Sequence, residues 1–376
     1  MSVERTFVGL PSPGFGRFGA GGHPCQGVYH TPAGVRPEVA FIASHYNIDF
    51  SEHYLADLLA GHGFGFLGWN TRFRGDEAHF LLDHALADVG VGVRWLREQA
   101  GVSRVVLLGN SGGGSLMAAY QSHAVDPNVT PLPGMRPAAG IDDLIAADAY
   151  VSLAAHPGRP DVLTAWMDAA VTDETDPTAT DPTLDLWNPQ NGPPFSAEFV
   201  ARYRAAQEAR NQRITDWCRD ELDRLAAAGI GDRLFTTSRL WADPRTVDPT
   251  LEPTARRANR CYLGDPRRAN YGTWGVGQCS SLRTWLSMWS LETSQCRAEP
   301  HLARITVPSL VINADADTGV FPSDARTILD AIGTADKQLV EVAGDHYLIE
   351  PDDARPRTAA LIADWVRSSD HRKSVV

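Results

Sequence analysis

Three residues far apart in the chain have the types and surroundings needed for nucleophilic chemistry. In VVLLGNSGGGSLMAAY, residues 105–120, Ser111 stands inside Gly109-Asn110-Ser111-Gly112-Gly113, a G-x-S-x-G pattern between an apolar run and a helix-like run. Such a turn holds the serine at strained backbone angles, so the positions two before and two after it must be small. The hydroxyl then projects into the cleft above the strand ends, and the helix start behind it favours negative charge. A serine hydroxyl is a poor nucleophile until an imidazole takes its proton, and the imidazole needs an acid to fix its tautomer. Both partners follow in the sequence. VPSLVINADADTGVFPSDA puts Asp315 and Asp317 just beyond an apolar run, and LVEVAGDHYLIEP puts His346 beyond the last such run. A glycine-rich phosphate loop or a plain tight turn would also fit the first motif taken alone.

The elements around these residues decide between those readings. Apolar runs at 38–44, within 62–70, at 104–109 (RVVLLG), at 148–155 and at 305–314 have the length of buried strands, and KQLVEV precedes His346. Between them, Tyr54, Leu55, Leu58 and Leu59 share a helical spacing that ends at Gly61. Leu82, Leu86, Val89, Val93 and Leu96 follow a rhythm that only a helix satisfies. Leu116, Met117 and Tyr120 begin a helix directly after the Ser111 turn, and a last helix surrounds Leu361 and Trp365. Strands apolar on both faces, alternating with helices, predict an α/β fold with a mostly parallel sheet flanked by helices.

With these elements in place, the chain resembles the α/β-hydrolase superfamily over residues 36–157 and 303–368. The resemblance rests on the serine turn, the acid loop and the terminal GDHYL. It implies Ser111 as nucleophile, His346 as general base and Asp317 as the orienting acid. Asp317 is preferred to Asp315 because the superfamily's acid usually precedes a short loop ending in proline, as in DTGVFP. It also implies an oxyanion hole made by the Gly112 amide and one amide from the loop after Ser44. There the superfamily often carries His-Gly-x, whereas this chain reads His45-Tyr46-Asn47, so Tyr46 and Asn47 are both candidates. His45 is expected to fix that loop.

Residues 158–300 interrupt the strand–helix rhythm with proline-laden polar stretches, a long helical segment from Phe199 to about Ala228, and short segments ending in SLRTWLSMWS. The expected organisation is a core of residues 1–157 and 301–376 with a helical cap inserted at 158–300. Seven of the ten tryptophans lie in the insertion, at 166, 187, 217, 241, 274, 285 and 289. Concave ligand sites are rich in aromatics, so Trp274, Trp285 and Trp289 are taken as candidate substrate contacts. Paired arginines at 256–257 and 267–268 would suit a substrate carboxylate, but the near-balanced charge of the insertion reads as solvated surface.

Composition narrows the rest. The chain has 376 residues, 43% hydrophobic and 21% charged, as an ordinary globular protein does. A net charge of -12 argues against nucleic acid. No basic start leads into an apolar run, and no stretch nears 18 uninterrupted apolar residues, so a cytoplasmic protein without a membrane span is expected. The five cysteines are scattered without a C-x-x-C pair, which predicts neither a disulfide framework nor a zinc site. Neither a metal nor a cofactor is expected. The expected partner is a small ester or lactone with a bulky apolar or aromatic portion, and a homo-oligomer is left open. Hydrolysis of a diketone carbon–carbon bond, acyl transfer by the same three residues, and ligand sensing without turnover are the alternatives.

Overall fold

The computed structural model describes residues 2–14, 24–273 and 275–373. Its strands before the insertion are β1 (Val3–Leu10), β2 (Cys25–Pro32), β3 (Val39–Ala43), β4 (Gly65–Asn70), β5 (Arg104–Asn110) and β6 (Ala149–Leu153). A short pair, β7 (Leu234–Thr236) and β8 (Cys279–Ser281), belongs to the insertion, and β9 (Ser309–Ala314) and β10 (Lys337–Val342) follow it. The main sheet has the order β1-β2-β4-β3-β5-β6-β9-β10. From β4 to β10 every neighbouring pair is parallel, while β1 and β2 add an antiparallel edge. That edge was not legible as strand. Half of β1 is exposed, and Glu4, Arg5 and Thr6 interrupt it, so it has no continuous apolar run to betray it.

Side chains alternate across the sheet, and each face is covered by helices. On one face Ile42 and Leu107 pack with Leu86 and Val93 of α2 (Leu82–Glu98) and Leu116 of α3 (Gly113–Val125). On the other, Phe41, Leu108 and Leu310 pack with Leu59 of α1 (Ala56–Gly61) and with Ile362 and Val366 of the final helix, Ala354–Lys373. The five apolar positions of the 82–96 rhythm are all buried, so that periodicity is the face α2 turns to the sheet.

The insertion begins with α4 (Arg159–Trp166) and contains one long helix, α5 (Ala197–Ala227), capped by the Ser196 hydroxyl on the Phe199 amide. The remainder consists of short helices joined by turns, in which Asp173, Asp176 and Asp181 each accept from the backbone two residues on. Ile214, Cys218 and Leu225 of α5, with Leu282, Trp285 and Trp289, join the same apolar cluster as α2 and α3. A smaller cluster around Phe195, Phe199 and Tyr203 is the insertion's own. All five cysteines are free, and four of them are buried. Among the described residues no helix is long and apolar enough to cross a membrane.

The turn after β5 is tightly packed on several sides. A Cβ on Gly109 would stand 2.6 Å from the Gly114 Cα, one on Gly113 2.4 Å from the Ser44 carbonyl oxygen, and one on Gly114 2.5 Å from the Ala155 Cβ. Gly61, at the end of α1, has open space around it. Gly109→Ala is therefore expected to destabilise the fold by about 1–3 kcal/mol, as overpacking does. Gly61→Ala is expected to be neutral or stabilising by up to about 1 kcal/mol, since it only reduces unfolded-chain entropy. Urea denaturation midpoints of the two variants would check this, and equal effects would contradict the packing described.

Candidate active site

Ser111 sits between β5 and α3 with φ at +55°, a left-handed conformation that a residue with a Cβ seldom adopts. The neighbouring strand fixes it there. The Ser111 N–H donates to the Leu153 carbonyl (3.1 Å), and the Ser111 carbonyl accepts from the amides of Gly114 (3.1 Å) and His156 (3.3 Å). This pinning at the carboxyl end of the sheet sets the hydroxyl in a cavity of about 360 Å³ between core and insertion.

His346 and Asp317 reach the same point from the loops after β10 and β9. His346 Nε2 lies 3.1 Å from Ser111 Oγ, and its Nδ1 lies 2.7 Å from Asp317 Oδ2. The other Asp317 oxygen accepts from the Gly319 (2.8 Å) and Val320 (3.0 Å) amides, which fixes the carboxylate. Asp315 has a different task, for its Oδ1 accepts from the Gly344 amide (3.0 Å) and so ties down the loop that carries His346. From the insertion, the Tyr262 ring stacks on the His346 imidazole with centroids 4.2 Å apart. Imidazole, carboxylate and serine thus stand in line, with the ring held on both its edge and its face.

A second imidazole faces the serine. His156, in the loop after β6, places Nε2 3.3 Å from Ser111 Oγ. With His346 Nδ1 donating to Asp317, its Nε2 accepts the single Ser111 proton, so His156 Nε2–H must be a donor to Oγ. Burial, then the neighbouring His346 and Arg159, push His156 well below the ordinary histidine range, and the ring is neutral. Its Nδ1 has no hydrogen-bond partner among the described residues.

The loop after β3 also meets this site. The amides of Asn47 (3.4 Å) and Ile48 (3.3 Å) both point at His45 Nδ1, and the Asn47 side chain donates to Glu77 (2.8 Å). Asn47 N–H is thereby engaged. Among the described residues the amides of Tyr46 and Gly112 make no hydrogen bond. The Tyr46 side chain is buried, with its hydroxyl 2.9 Å from the Ser115 hydroxyl. His45 therefore fixes its loop and also lines the cavity.

The tryptophans are placed differently from expectation. Trp285 and Trp289 are fully buried and do not line the cavity. They form a π-helical turn packed against α5, where the Trp285 Nε1 donates to Thr215 (3.1 Å) and the Trp289 carbonyl accepts from Asn211 (2.9 Å). Their four-residue spacing reflects that packing rather than a ligand face. Trp166 and Trp241, stacked with centroids 4.7 Å apart, line the cavity instead. Trp274 lies outside the described residues. Arg256 is spent on backbone carbonyls, including that of Leu251, and Arg257 on Glu350, while Arg267 and Arg268 are exposed. Among the described residues no group of three or more His, Cys, Asp or Glu side chains is disposed to hold a metal.

Sequence reasoning passed over His156, Arg159 and Tyr262. For the first two a signal existed: His156-Pro157-Gly158-Arg159 follows directly on a strand, and ligands of open α/β sheets bind beyond the carboxyl ends of strands. Nothing local in RCYLGDP marks Tyr262, which reaches His346 only through the tertiary path of the insertion.

No protein-family model matches the chain, and no curated protein sequence matches it. Among solved structures, DcsB in complex with its substrate analogue aligns over 92% of this chain and 95% of its own, with a TM-score of 0.52 at 11% identity. The esterase domain of a Rhodothermus marinus protein aligns over 98% of this chain and 99% of its own (TM-score 0.47, 13% identity). The Paleococcus ferrophilus monoacylglycerol lipase aligns over 98% and 100% (TM-score 0.46, 15% identity). The sheet order, the crossover helices and the serine turn, together with the first of these alignments, give the chain the α/β-hydrolase fold.

The two imidazoles at Ser111 have separable roles in any nucleophilic reaction there. Losing His346 removes the proton acceptor, so His346→Ala is expected to reduce any Ser111-dependent turnover by about 10⁴-fold or more. Losing His156 removes one donated hydrogen bond, so His156→Ala is expected to cost about 10–100-fold. Steady-state rates with an aryl acetate would rank them. The reverse ranking would make His156 the base.

Proposed function

We propose that the protein is a serine hydrolase that cleaves a carboxylic ester or lactone of a bulky, apolar or aromatic small molecule through an acyl-enzyme. The observation that carries this reading is the line from Ser111 Oγ through His346 to Asp317, at 3.1 and 2.7 Å, on a strained turn at the head of a helix. Ser111 Oγ attacks the carbonyl carbon as its proton passes to His346 Nε2, and Asp317 stabilises the imidazolium that results. The amides of Gly112 and Tyr46, free of other partners, receive the oxyanion. His346 then protonates the departing alcohol, and water repeats the sequence on the acyl-enzyme.

Residues 158–300 act as the cap in this reading. They supply Trp166, Trp241 and Tyr262 to the cavity, and a wall of such rings favours an apolar or aromatic group beside the scissile bond. The cap also excludes water from the reacting atoms, which strengthens each hydrogen bond made there.

The test is turnover of a panel of aryl esters and lactones by the purified protein and by two carboxylate variants. Asp317→Asn is expected to lower kcat by about 10⁴-fold, since imidazole is left in the wrong tautomer. Asp315→Asn loses one loop hydrogen bond and is expected to cost about tenfold or less. No turnover on any of the panel would refute the reading, and equal losses in the two variants would displace Asp317 from its role.

A further inference from the structure

The reaction just described uses neither Arg159 nor the outward nitrogen of His45, yet both border the cavity. Arg159 is only 2% exposed, an unusual place for a guanidinium. Its Nε and Nη2 have no hydrogen-bond partner among the described residues. Its ion-pair partner, Glu77, is 3.9 Å away, close enough to offset the charge but beyond hydrogen-bond reach. The Glu77 oxygens are already accepting from the Gly277 amide (2.6 Å) and the Asn47 side chain (2.8 Å). What holds Arg159 is aromatic: its guanidinium lies 4.5 Å from the Trp289 ring centroid and 5.0 Å from that of Tyr46. Trp289 thus reaches the site at one remove, by orienting this arginine.

Arg159 Nη1 and His45 Nε2 both lie over Gly112, the residue after the nucleophile, at the edge of the cavity. A Cβ built on Gly112 would lie 2.8 Å from Arg159 Nη1 and 2.8 Å from His45 Nε2. Because His45 Nδ1 accepts two backbone amides, its Nε2 carries the proton and is a donor. Burial, then the charge of Arg159, hold His45 well below the ordinary histidine range, so the ring adds a donor but no charge. Two N–H groups, one of them cationic, therefore converge on one small volume next to Ser111. Buried donors left without an acceptor are costly even where a counter-ion offsets the charge, so an acceptor seated beside Arg159 Nη1 and His45 Nε2 would be favoured.

We propose that Arg159 and His45 form a carboxylate subsite, so that the ester or lactone taken by this enzyme bears a carboxylate group close to its scissile carbonyl. Arg159 Nη1 and His45 Nε2 present two donors side by side, one on a cation, which suits the two oxygens of a carboxylate. The aromatic walls at Trp166 and Trp241 take the apolar part of the same molecule. This subsite rests on the hydrolase reading for its meaning, but its binding chemistry can be measured without turnover.

Calorimetric titration of the Ser111→Ala protein with sodium benzoate and with benzamide separates charge from shape, since the two share a ring and a planar head. Benzoate is expected to bind about tenfold or more tightly than benzamide, as charge-assisted hydrogen bonds imply. Arg159→Gln in the same background is expected to bring the ratio to about one. If that variant does not fold, as judged by circular dichroism, the unsubstituted protein decides. There benzoate is expected to compete with a neutral aryl acetate at about a tenfold lower concentration than benzamide does. Equal binding of the two probes, or a preference for benzoate that survives Arg159→Gln, overturns the subsite. Turnover without such a preference removes the subsite and keeps the hydrolase. A preference without turnover does the opposite.

Discussion

The backbone of Ser111 is held at φ +55° by hydrogen bonds to the next strand of the sheet, and most of what is distinctive in the molecule follows from that restraint. The strained turn exists only because β5 and α3 approach each other without side chains at Gly109 and Gly114. That closeness in turn depends on Ala155 and Ser44 standing against the same turn from the loops after β6 and β3. The bonds from Leu153 and His156 that fix the serine also deliver the second imidazole to its hydroxyl. Position and chemistry share one set of contacts, so a change that relaxes the turn would move the nucleophile and His156 together.

The insertion is bound into this arrangement rather than laid over it. Apolar residues of α5 and of the segment from Leu282 to Trp289 belong to the cluster that covers one face of the sheet, and Tyr262 stacks on His346. Glu77 joins the loop after β3 to Gly277 of the insertion, with Arg159 between the rings of Tyr46 and Trp289 close by. A segment so connected cannot swing away as a rigid lid without disturbing the histidine it covers. Tyr262, which also lines the cavity, ties the insertion directly to the orientation of His346.

The core was legible in the sequence where one physical demand dominated. Strands buried on both faces read as apolar runs, α2 reads from a 3.6-residue rhythm, and the serine turn reads from its glycines. Ser111 and His346, 235 residues apart, and Asp317, 29 residues before His346, stand within hydrogen-bonding distance from positions beyond β5, β10 and β9. What escaped had mixed demands. β1 is half exposed, β2 mixes polar and apolar residues without a clean run, and Tyr262 sits in an irregular segment without periodicity. Trp285 and Trp289 misled because helical spacing marks a buried face without saying what is buried against it. The histidine and arginine after β6 were masked by the Pro-Gly that reads as simple punctuation.

The central claim is that Ser111 is an activated nucleophile facing an oxyanion site, and a fluorophosphonate reports on that property alone, whatever the natural substrate. The reagent needs an ionisable hydroxyl and donors for its phosphoryl oxygen, the properties proposed for Ser111 and for the amides of Gly112 and Tyr46. Intact-mass analysis with peptide mapping is predicted to show one adduct, on Ser111, absent from Ser111→Ala. An adduct on a different serine, or none in a protein shown to be folded, would contradict the account.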